Sequence, residues 1–524
     1  MRTEQKDNMK NSIIRLITVV VFLLLQVLWI VNFFVELNKH FPIMSVITGI
    51  LSILLIFEIY GQPQNAAFKM TWMIFIGAFP IFGICVYLLF GAKQATKRER
   101  KRFNAVHDNL MQEIKTDDSV LANIEAEDFG VANQFRYLSK IEGYPVYEGV
   151  EDTYFKDASD GLAAQLARMR EAKHYIFMEY HAIELSTAFY SILDILKQKV
   201  KEGVEVRILY DDVGSIGFIN PKFRKEMESF GIKCRIFNPV IPVAKIFMNN
   251  RDHRKITVID GKIGFTGGYN LADEYFNLTH PYGFWKDTGI ELHGPAVRSL
   301  LEIFLEMWNG FDKNPEDWKP YFDRIPEECQ PDFDAATEQP GGDTYLLAYA
   351  DSPLDETFVG ENVYLNVIKN AKHFVYITTP YLIISDEMTR ELTMAVQRGV
   401  DVRIVTPGIP DKKVIYRTTR SYYANLARAG VRIYEYTPGF IHAKQVVADG
   451  EVATIGTINF DFRSLYHHFE NGVLMYKGHA IEDMCRDFET IFAESEEVTE
   501  KYQGERQVVI RGVDLLLRLI APLL

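Results

Sequence analysis

Cysteine is scarce in this chain. Four cysteines occur among 524 residues, at positions 85, 234, 329 and 485, and they form neither a C-x-x-C pair nor the Cys and His spacing of a zinc finger. This pattern argues against a disulfide scaffold and against a cysteine-based zinc site. We therefore predict free thiols in a reducing compartment.

Nucleotide-binding and low-complexity signatures are also missing. No G-x-x-x-x-G-K-[ST] run is present, so a P-loop nucleotide site is not expected. The chain has 34 glycines and 20 prolines, and 48% of it is hydrophobic and 24% charged, which disfavours collagen-like, coiled-coil and disordered classes. At about 100 to 200 residues per domain, the length allows about three or four folded domains.

Basic residues outnumber acidic residues only in the amino-terminal part of the chain. Residues 1–102 carry 12 Lys and Arg against 5 Asp and Glu, whereas the remainder carries 45 against 65. The net charge of -13 thus divides into +7 and -20. Because binding to a phosphate backbone is driven largely by Lys and Arg, we do not expect nucleic acid as the partner of the acidic part.

Long hydrophobic runs are confined to the first 90 residues. Three segments, 16–34, 43–60 and 70–90, approach the length of about 20 residues that spans a hydrocarbon core about 30 Å thick. We predict three transmembrane helices within a membrane anchor, 1–105, and we note that Pro80 interrupts the third.

The flanking charges predict the orientation of this anchor. Six Lys and Arg residues follow the third segment between Lys93 and Arg102, which places the acidic part in the cytoplasm by the positive-inside rule. Basic residues before position 16 favour the cytoplasm too, and three full spans cannot place both ends there. Either the amino end lies outside, or 43–60 is re-entrant or interfacial. We predict a multi-pass protein of the cell membrane.

The pattern of the carboxyl end, 505–524, predicts an amphipathic helix. Arg511, Asp514 and Arg518 follow one another at spacings of three and four and share one face, with aliphatic residues elsewhere. Two interpretations stay open: a helix that lies in a membrane interface, and a helix that packs its apolar side on a protein core.

The acidic part contains an internal duplication. Strand-like and helical patterns alternate twice between 170 and 480, and Gly203, Val204 and Arg207 of the first series recur 196 residues later. Strands that alternate with helices predict an α/β fold with mixed or parallel sheets. We predict two pseudo-symmetric lobes, 135–311 and 345–500, with linkers over 106–134 and 312–344.

A motif of chemically reactive side chains occurs once in each lobe. HRKITVIDGKIGFTGGYN, 253–270, and HAKQVVADGEVATIGTIN, 442–459, align without a gap at an offset of 189. His and Lys are two residues apart in a strand-like run, so they point to the same face. The shared positions are His253, Lys255, Asp260, Gly267 and Asn270, which recur as His442, Lys444, Asp449, Gly456 and Asn459.

Two histidines and two lysines suit reactions at phosphorus. One neutral imidazole attacks phosphorus while a protonated one donates to the leaving oxygen, and a pKa near 6.5 makes both forms accessible. Lysine and asparagine side chains hold the non-bridging oxygens. We expect no metal and no cofactor, because Lys is not a ligand and no carboxylate cluster adjoins either His in the sequence.

The doubled H-x-K-x4-D-x6-G-[GST]-x-N motif resembles the phospholipase D superfamily. The match covers about 135–495, and the contexts WKDTG and FENG extend the similarity to the bacterial cardiolipin synthases of that superfamily along nearly the whole chain. Gly268 and Thr457 stand where many hydrolytic relatives carry Ser, which favours the synthase branch. The resemblance implies two phospholipase D-like lobes behind a membrane anchor.

The resemblance also implies a reaction and roles. Two phosphatidylglycerol molecules would give cardiolipin and glycerol by reversible phosphatidyl transfer, with His253 as the nucleophile and His442 as the acid and base. The predicted partners are phosphatidylglycerol and anionic membrane lipids. The motif residues carry the predicted catalytic and phosphate-binding roles: His253, Lys255, Asp260, His442, Lys444 and Asp449 in the catalytic set, and Asn270 and Asn459 with the two lysines around the phosphate.

Supporting roles and alternatives complete the prediction. Asp287 and Glu470 fall where the family keeps carboxylates that orient the imidazoles, and Gly267 and Thr457 support the turn after the motif strand. The motif aspartates buttress the strand-to-turn geometry. The alternatives are a phospholipase D-type phosphodiesterase acting on lipid or nucleic acid, a transferase that uses another phospholipid donor, and an inactive membrane scaffold.

Overall fold

A computed structural model describes scattered residues between 21 and 39 and then residues 43–91, 95–112, 118–239, 249–323, 343–355, 357–504 and 508–523. Most of segment 16–34, most of the predicted linker 312–344 and Cys329 lie outside the described residues. The other three cysteines, Cys85, Cys234 and Cys485, are free thiols, as predicted.

From residue 43 onward, the amino-terminal part that the structure describes consists of three helices and a turn. They are α1 (Ile43–Tyr60), α2 (Ala66–Ala78) and α3 (Pro80–Val86), followed by a π-helical turn, Tyr87–Gly91. In the part of the chain that the structure describes, we find no helix whose length and apolar character suffice to cross a bilayer.

The third hydrophobic segment, 70–90, is a helical hairpin, so the prediction of one spanning helix is wrong. The chain breaks at Phe79, whose φ is -134° and ψ 72°, directly before Pro80, which cannot continue the hydrogen-bond ladder of a helix. The rings of Trp72 and Tyr87 lie 5.2 Å apart, whereas a straight helix would separate them by about 22 Å. Pro80 was the signal for this break.

A packed helical layer follows the hairpin. It comprises α4 (Lys97–Met111), α5 (Asp118–Glu127) and α6 (Phe129–Ile141). In the stretch 106–134, which we predicted to be a linker, residues 106–111, 118–127 and 129–134 therefore belong to helices. Phe103, Leu110, Ile124 and Phe135 are buried in the same hydrophobic core as the second lobe, which explains why this stretch is ordered.

The first lobe is built on a mixed sheet. Its strand order is β2-β10-β8-β7-β3-β4-β5, with β3, β4 and β5 parallel and the others antiparallel. Its strands are β2 (Asp152–Phe155), β3 (Tyr175–Tyr180), β4 (Glu205–Asp211), β5 (Lys233–Phe237), β7 (Lys255–Ile259), β8 (Ile263–Gly267) and β10 (Gly289–His293). Its helices are α7 (Ala158–Glu171), α8 (Thr187–Lys201), α9 (Asp212–Ser215), α10 (Phe223–Ser229), α11 (Val297–Gly310) and α12 (Lys319–Asp323).

The second lobe repeats this arrangement. The order β1-β11-β18-β17-β16-β12-β13-β14-β19 again has a parallel trio, β12, β13 and β14. The strands are β1 (Tyr147–Glu148), β11 (Tyr345–Asp351), β12 (Phe374–Thr378), β13 (Asp401–Pro407), β14 (Arg432–Tyr436), β16 (Gln445–Ala448), β17 (Val452–Gly456), β18 (His468–Tyr476) and β19 (Ser495–Glu497). The helices are α13 (Val359–Asn370), α14 (Asp386–Gln397), α15 (Lys413–Ala429), α16 (Phe462–Tyr466), α17 (His479–Ala493) and α18 (Thr499–Gln503). The predicted mixed α/β fold with two lobes is confirmed.

Two short strands join the lobes reciprocally. β6 (Arg251–Asp252), directly before the first motif, pairs with β18 of the second lobe. β15 (Gly439–Ile441), directly before the second motif, pairs with β9 (Phe284–Lys286) of the first lobe. Each motif therefore begins on a strand that the opposite lobe holds.

The carboxyl-terminal helix, α19 (Val508–Ile520), turns its charged face to the protein. Asp514 lies 3.8 Å from Arg417, and the guanidinium of Arg518 stacks over the ring of Tyr422 at 4.6 Å. Leu515 and Leu516 are exposed instead. Of the two interpretations of 505–524, packing of the apolar side on the core is therefore wrong.

Asp260 and Asp449 are bracing residues at equivalent turns. Each has a positive φ, 54° and 57°. The Asp260 carboxylate accepts hydrogen bonds from the backbone N–H groups of residues 173, 174 and 175 at 2.7 to 2.8 Å, and Asp449 accepts from those of residues 372, 373 and 374 at 2.7 to 2.9 Å. Each thus ties the turn after the motif strand to the start of its neighbouring strand.

The close packing of the helical hairpin predicts that no side chain fits at position 83. A Cβ on Gly83 would lie 2.7 Å from the Cα of Ile76, whereas a Cβ on Gly77 has nothing within 4 Å. We expect Gly83→Ala to lower the free energy of unfolding by about 1–3 kcal/mol, because the two helices must separate. Denaturant unfolding in detergent measures this change. Gly77→Ala is the matched control, and equal stability of the two variants would contradict the hairpin.

The contacts of Asp260 and Asp449 predict that replacing either aspartate lowers stability but does not lower the reaction rate of the folded protein. We expect Asp260→Ala to cost about 1.5–3 kcal/mol, because three backbone donors lose a charged acceptor. The turnover of the remaining folded enzyme should stay near that of the wild type. Unfolding curves and kcat per folded molecule check both points. A collapse of kcat at unchanged stability would show that Asp260 takes part in catalysis.

Candidate active site

The centre of the site consists of two crossed His–carboxylate pairs. Nδ1 of His253, from the first lobe, lies 2.9 Å from Oε2 of Glu470 in the second lobe. Nδ1 of His442, from the second lobe, lies 2.7 Å from Oδ2 of Asp287 in the first. Each lobe thus supplies one imidazole and the carboxylate that orients the other imidazole.

The short inter-lobe strands produce this crossing. The N–H of His253 donates to the carbonyl of Phe469 at 2.9 Å, one residue before Glu470. The N–H of His442 donates to the carbonyl of Lys286 at 2.7 Å, one residue before Asp287. Because the backbones are paired at these points, each acid follows directly beside the imidazole of the opposite lobe.

Burial controls the protonation of the pairs. His253 and His442 are only 7% and 6% exposed, and burial lowers the pKa of His253 well below its usual value and that of His442 to about 4, although the carboxylates act in the opposite direction. Burial raises the pKa of Glu470 and Asp287, but the neighbouring imidazoles outweigh this and lower both. The acids are therefore charged and the imidazoles neutral, and an imidazole that donates Nδ1–H to its carboxylate has its lone pair on Nε2.

The motif lysines are buried beside the imidazoles. Nζ of Lys255 donates to the carbonyl of His253 at 2.6 Å, and Lys444 donates to that of His442 in the same way. Burial lowers the pKa of Lys255 to about 8 and that of Lys444 to about 7. Two buried lysine amines next to two imidazoles suit a bound phosphate, whose negative charge would raise their pKa and favour the charged ammonium forms.

The motif asparagines make equivalent bonds in the two lobes. Nδ2 of Asn270 donates to the hydroxyl of Tyr275 at 2.9 Å, and Nδ2 of Asn459 donates to that of Ser464 at 3.0 Å. Each amide group retains a second N–H. Both asparagines are buried next to the motif strands, as a phosphate-binding role requires.

The small motif residues fit close contacts. A Cβ on Gly267 would meet the carbonyl oxygen of Thr288 at 2.5 Å, so only glycine fits there. A Cβ on Gly268 would lie 2.0 Å from Asp287. In the second lobe Thr457 stands at this position, and its hydroxyl donates to Oε2 of Glu470 at 2.5 Å.

The motif aspartates have backbone N–H groups as partners. The carboxylates of Asp260 and Asp449 bind backbone N–H groups at the turns, as described above. These contacts fit the buttressing role that we predicted, and the place of the two aspartates in the predicted catalytic set stays a prediction.

Two further histidines surround His253. The ring centroids of His181 and His468 lie 4.9 Å and 5.4 Å from that of His253. His468 had the stronger sequence signal, because it stands two residues before Glu470 in HHFENG. His181 follows a buried strand end, and its Nδ1 donates to the carbonyl of Asp252 at 2.7 Å.

The arrangement also brings together atoms that could bind a metal. Ligand atoms of His253, His468 and Glu470 lie within 4.8 Å of one another, and all three side chains are largely buried. Two imidazoles and a carboxylate form a donor set that Zn²⁺ accepts. The prediction of no metal rested on the lack of a carboxylate cluster beside either histidine in the sequence, whereas the carboxylate of this set comes from the opposite lobe.

A buried ionic network connects the site to the helical layer. Arg254, next to His253, donates to the carbonyl of Glu470 at 3.2 Å and lies 3.4 Å from Glu306 of α11. Glu306 also lies 2.8 Å from Nδ1 of His107 on α4. Sequence reasoning missed this network, because its members are far apart along the chain.

Comparison with known proteins identifies relatives over most of the chain. Residues 166–308 and 364–492 match the family described as "Cardiolipin synthase, PLD-like domain", and residues 50–91 match "Phospholipase_D-nuclease N-terminal". The chain is 33% identical over 474 residues to "Cardiolipin synthase 2" of Bacillus cereus, covering 89% of this chain and 88% of the relative. It is 39% identical over 458 residues to an uncharacterized protein of Streptococcus mutans, covering 87% and 96%.

A solved structure supports the fold. The crystal structure of phosphatidylserine synthase from Haemophilus influenzae superposes with a TM-score of 0.54 at 13% sequence identity, over 75% of this chain and 99% of the other. The doubled motif, the two-lobed mixed α/β fold and the extensive similarity in sequence lead to one conclusion. The chain belongs to the cardiolipin synthase family of phospholipase D-like proteins.

Proposed function

We propose that this protein is a cardiolipin synthase, a phosphatidyltransferase that joins two phosphatidylglycerol molecules and releases glycerol. The observation that carries the proposal is the pair of crossed imidazoles with two buried lysines beside them. A neutral imidazole with its lone pair on Nε2 is a nucleophile. The second imidazole donates a proton to the leaving oxygen and later accepts one from the attacking hydroxyl. Relatives named cardiolipin synthase add the substrate class.

The first half-reaction forms a covalent intermediate. Nε2 of His253 attacks the phosphorus of one phosphatidylglycerol, and the bond from phosphorus to the glycerol oxygen breaks. That oxygen takes a proton from His442, whose pKa the bound phosphate raises from its low value in the free enzyme. Glycerol leaves, and the phosphatidyl group stays on His253. Glu470 stabilises the positive charge of the phosphorylated imidazole.

The second half-reaction regenerates the enzyme. His442, now neutral, accepts the proton from a glycerol hydroxyl of a second phosphatidylglycerol. The oxygen attacks phosphorus, the bond from phosphorus to Nε2 of His253 breaks, and cardiolipin is released. Lys255, Lys444, Asn270 and Asn459 stabilise the non-bridging oxygens in both steps.

The surroundings of His442 favour a lipid alcohol over water as the acceptor. The rings of Trp285, Tyr275 and Phe440 lie 5.3, 5.4 and 5.8 Å from the imidazole centroid. An aromatic enclosure limits the number of ordered waters near the general base. Hydrolysis by the same histidines is the second candidate function, and the product distinguishes the two.

We place the enzyme at the cell membrane, with both lobes in the cytoplasm and phosphatidylglycerol and other anionic lipids as its partners. Exposed apolar residues on α1 and α19 support this location, among them Ile43, Phe57, Leu515 and Leu516. Thr71 of α2 donates to the carbonyl of Leu519 at 2.7 Å, so the two apolar regions are adjacent. The multi-pass topology stays a prediction, and the hairpin removes 70–90 from its candidate spans.

Product analysis tests the proposed reaction. In mixed micelles of phosphatidylglycerol we expect cardiolipin and glycerol in equal amounts, and added phosphatidylethanolamine should release no ethanolamine. His442→Ala should reduce the rate by about 10²- to 10⁴-fold, because the proton donor is lost. His479→Ala, at a 92% exposed histidine, is the matched control. Phosphatidic acid without cardiolipin would identify a hydrolase instead.

Trapping of the intermediate tests which histidine is the nucleophile. A phosphatidyl ester of p-nitrophenol needs little help from an acid, so His442→Ala should release a stoichiometric burst of nitrophenolate. Mass spectrometry without acid quenching should find the phosphatidyl group on His253. His253→Ala should show no burst. A phosphatidyl group on His442 in that variant would reverse the two roles.

A further inference from the structure

The two halves of the site are equivalent in backbone but differ in one ring. Arg251 pairs with His468 on the inter-lobe strand, and Phe440, which is 189 residues after Arg251, pairs with Trp285. His468 and Trp285 therefore occupy equivalent places, each two residues before the acid that orients the opposite histidine. An imidazole stands on the His253 side and an indole on the His442 side.

The indole shows what this position does in one half. Its ring centroid lies 5.3 Å from that of His442, and its Nε1–H points to Oδ2 of Asp287 at 3.5 Å. The other carboxylate oxygen, Oδ1, accepts from the N–H of Thr288 at 3.0 Å. Donors thus face both oxygens of Asp287, which holds the carboxylate against His442.

The imidazole of His468 occupies the equivalent place beside Glu470, but its hydrogen bonding differs from that of the indole. Its centroid lies 5.4 Å from that of His253, and its side chain is 10% exposed. Among the described residues, neither ring nitrogen of His468 has a hydrogen-bond partner, and neither does Oε1 of Glu470. Nδ1 of His468 and Oε1 of Glu470 are 3.6 Å apart.

We propose that His468 is a positioning residue for the nucleophile, which donates Nδ1–H to Oε1 of Glu470 in the working enzyme and so holds this carboxylate on Nδ1 of His253. A buried donor and a buried acceptor without partners are costly, and a shift of about 0.7 Å turns their 3.6 Å separation into a hydrogen bond. Such bonds are often long before the substrate binds. The inference rests on the proposed function only in assigning His253 as the nucleophile.

Two substitutions separate positioning from packing. In His468→Asn the Nδ2 atom takes the place of Nδ1 and keeps a neutral donor, whereas His468→Leu removes it. We expect His468→Leu to lower kcat by about tenfold with KM unchanged, because Oε1 of Glu470 loses its donor. His468→Asn should stay within about threefold of the wild type, because it keeps a donor for Oε1 of Glu470. Thermal unfolding of both variants in detergent shows whether they fold.

Chemical modification supplies a readout that needs no lipid. Diethyl pyrocarbonate acylates neutral imidazoles, and peptide mass spectrometry of the full chain in detergent gives separate rates for His253 and His442 between pH 5.5 and 8. We expect His468→Leu to slow acylation of His253 by about threefold and leave His442 unchanged, because only His253 depends on Glu470 for its tautomer. Trp285→Phe should affect His442 and leave His253 unchanged.

The outcomes separate this inference from the proposed function. Absence of cardiolipin with the wild type would refute the proposed function, while the acylation rates would still test the role of His468. Equal acylation of His253 in His468→Leu and the wild type would overturn the inference. So would equal losses of kcat in His468→Leu and His468→Asn when both are folded, because a donor at the Nδ1 position would then be irrelevant.

Discussion

The crossed pairing of each imidazole with the carboxylate of the opposite lobe is the constraint on which the site depends. The pairs His253–Glu470 and His442–Asp287 are charge-assisted hydrogen bonds between buried groups, so they fix the ring orientation and the tautomer. They also fix the relative position of the lobes, since the acids follow the inter-lobe strands directly. The same contacts that assemble the protein therefore prepare its chemistry.

Much of the fold and the identity of the reactive residues could be predicted from the sequence, because the duplication repeats both. Regular alternation of strands and helices, together with the offset of 189 between the motifs, identifies two α/β lobes and the residues from His253 to Asn459. The resemblance adds Asp287 and Glu470. The crossing of the pairs was beyond prediction, because it results from pairing between lobes and leaves no local pattern.

Other differences have local causes. The helical hairpin at Phe79 and Pro80 follows from the missing N–H of proline, a signal that the hydrophobicity of 70–90 obscured. The helical parts of 106–134 were mistaken for a linker because their apolar residues are spaced among many charges, although Leu110 and Ile124 are buried. The role of His468 was missed because the burial of the polar residues around it depends on the strand that they join, and the sequence does not show that strand.

The crossed arrangement has a consequence for the history of the molecule. A lobe that carries an imidazole but borrows its carboxylate is complete only as part of a pair, as in a twofold-symmetric homodimer. In such a dimer every substitution appears in both half-sites at once. Joining the two copies in one chain removes that restriction. The indole of Trp285 on one side and the imidazole of His468 on the other are differences that only a fused pair can acquire.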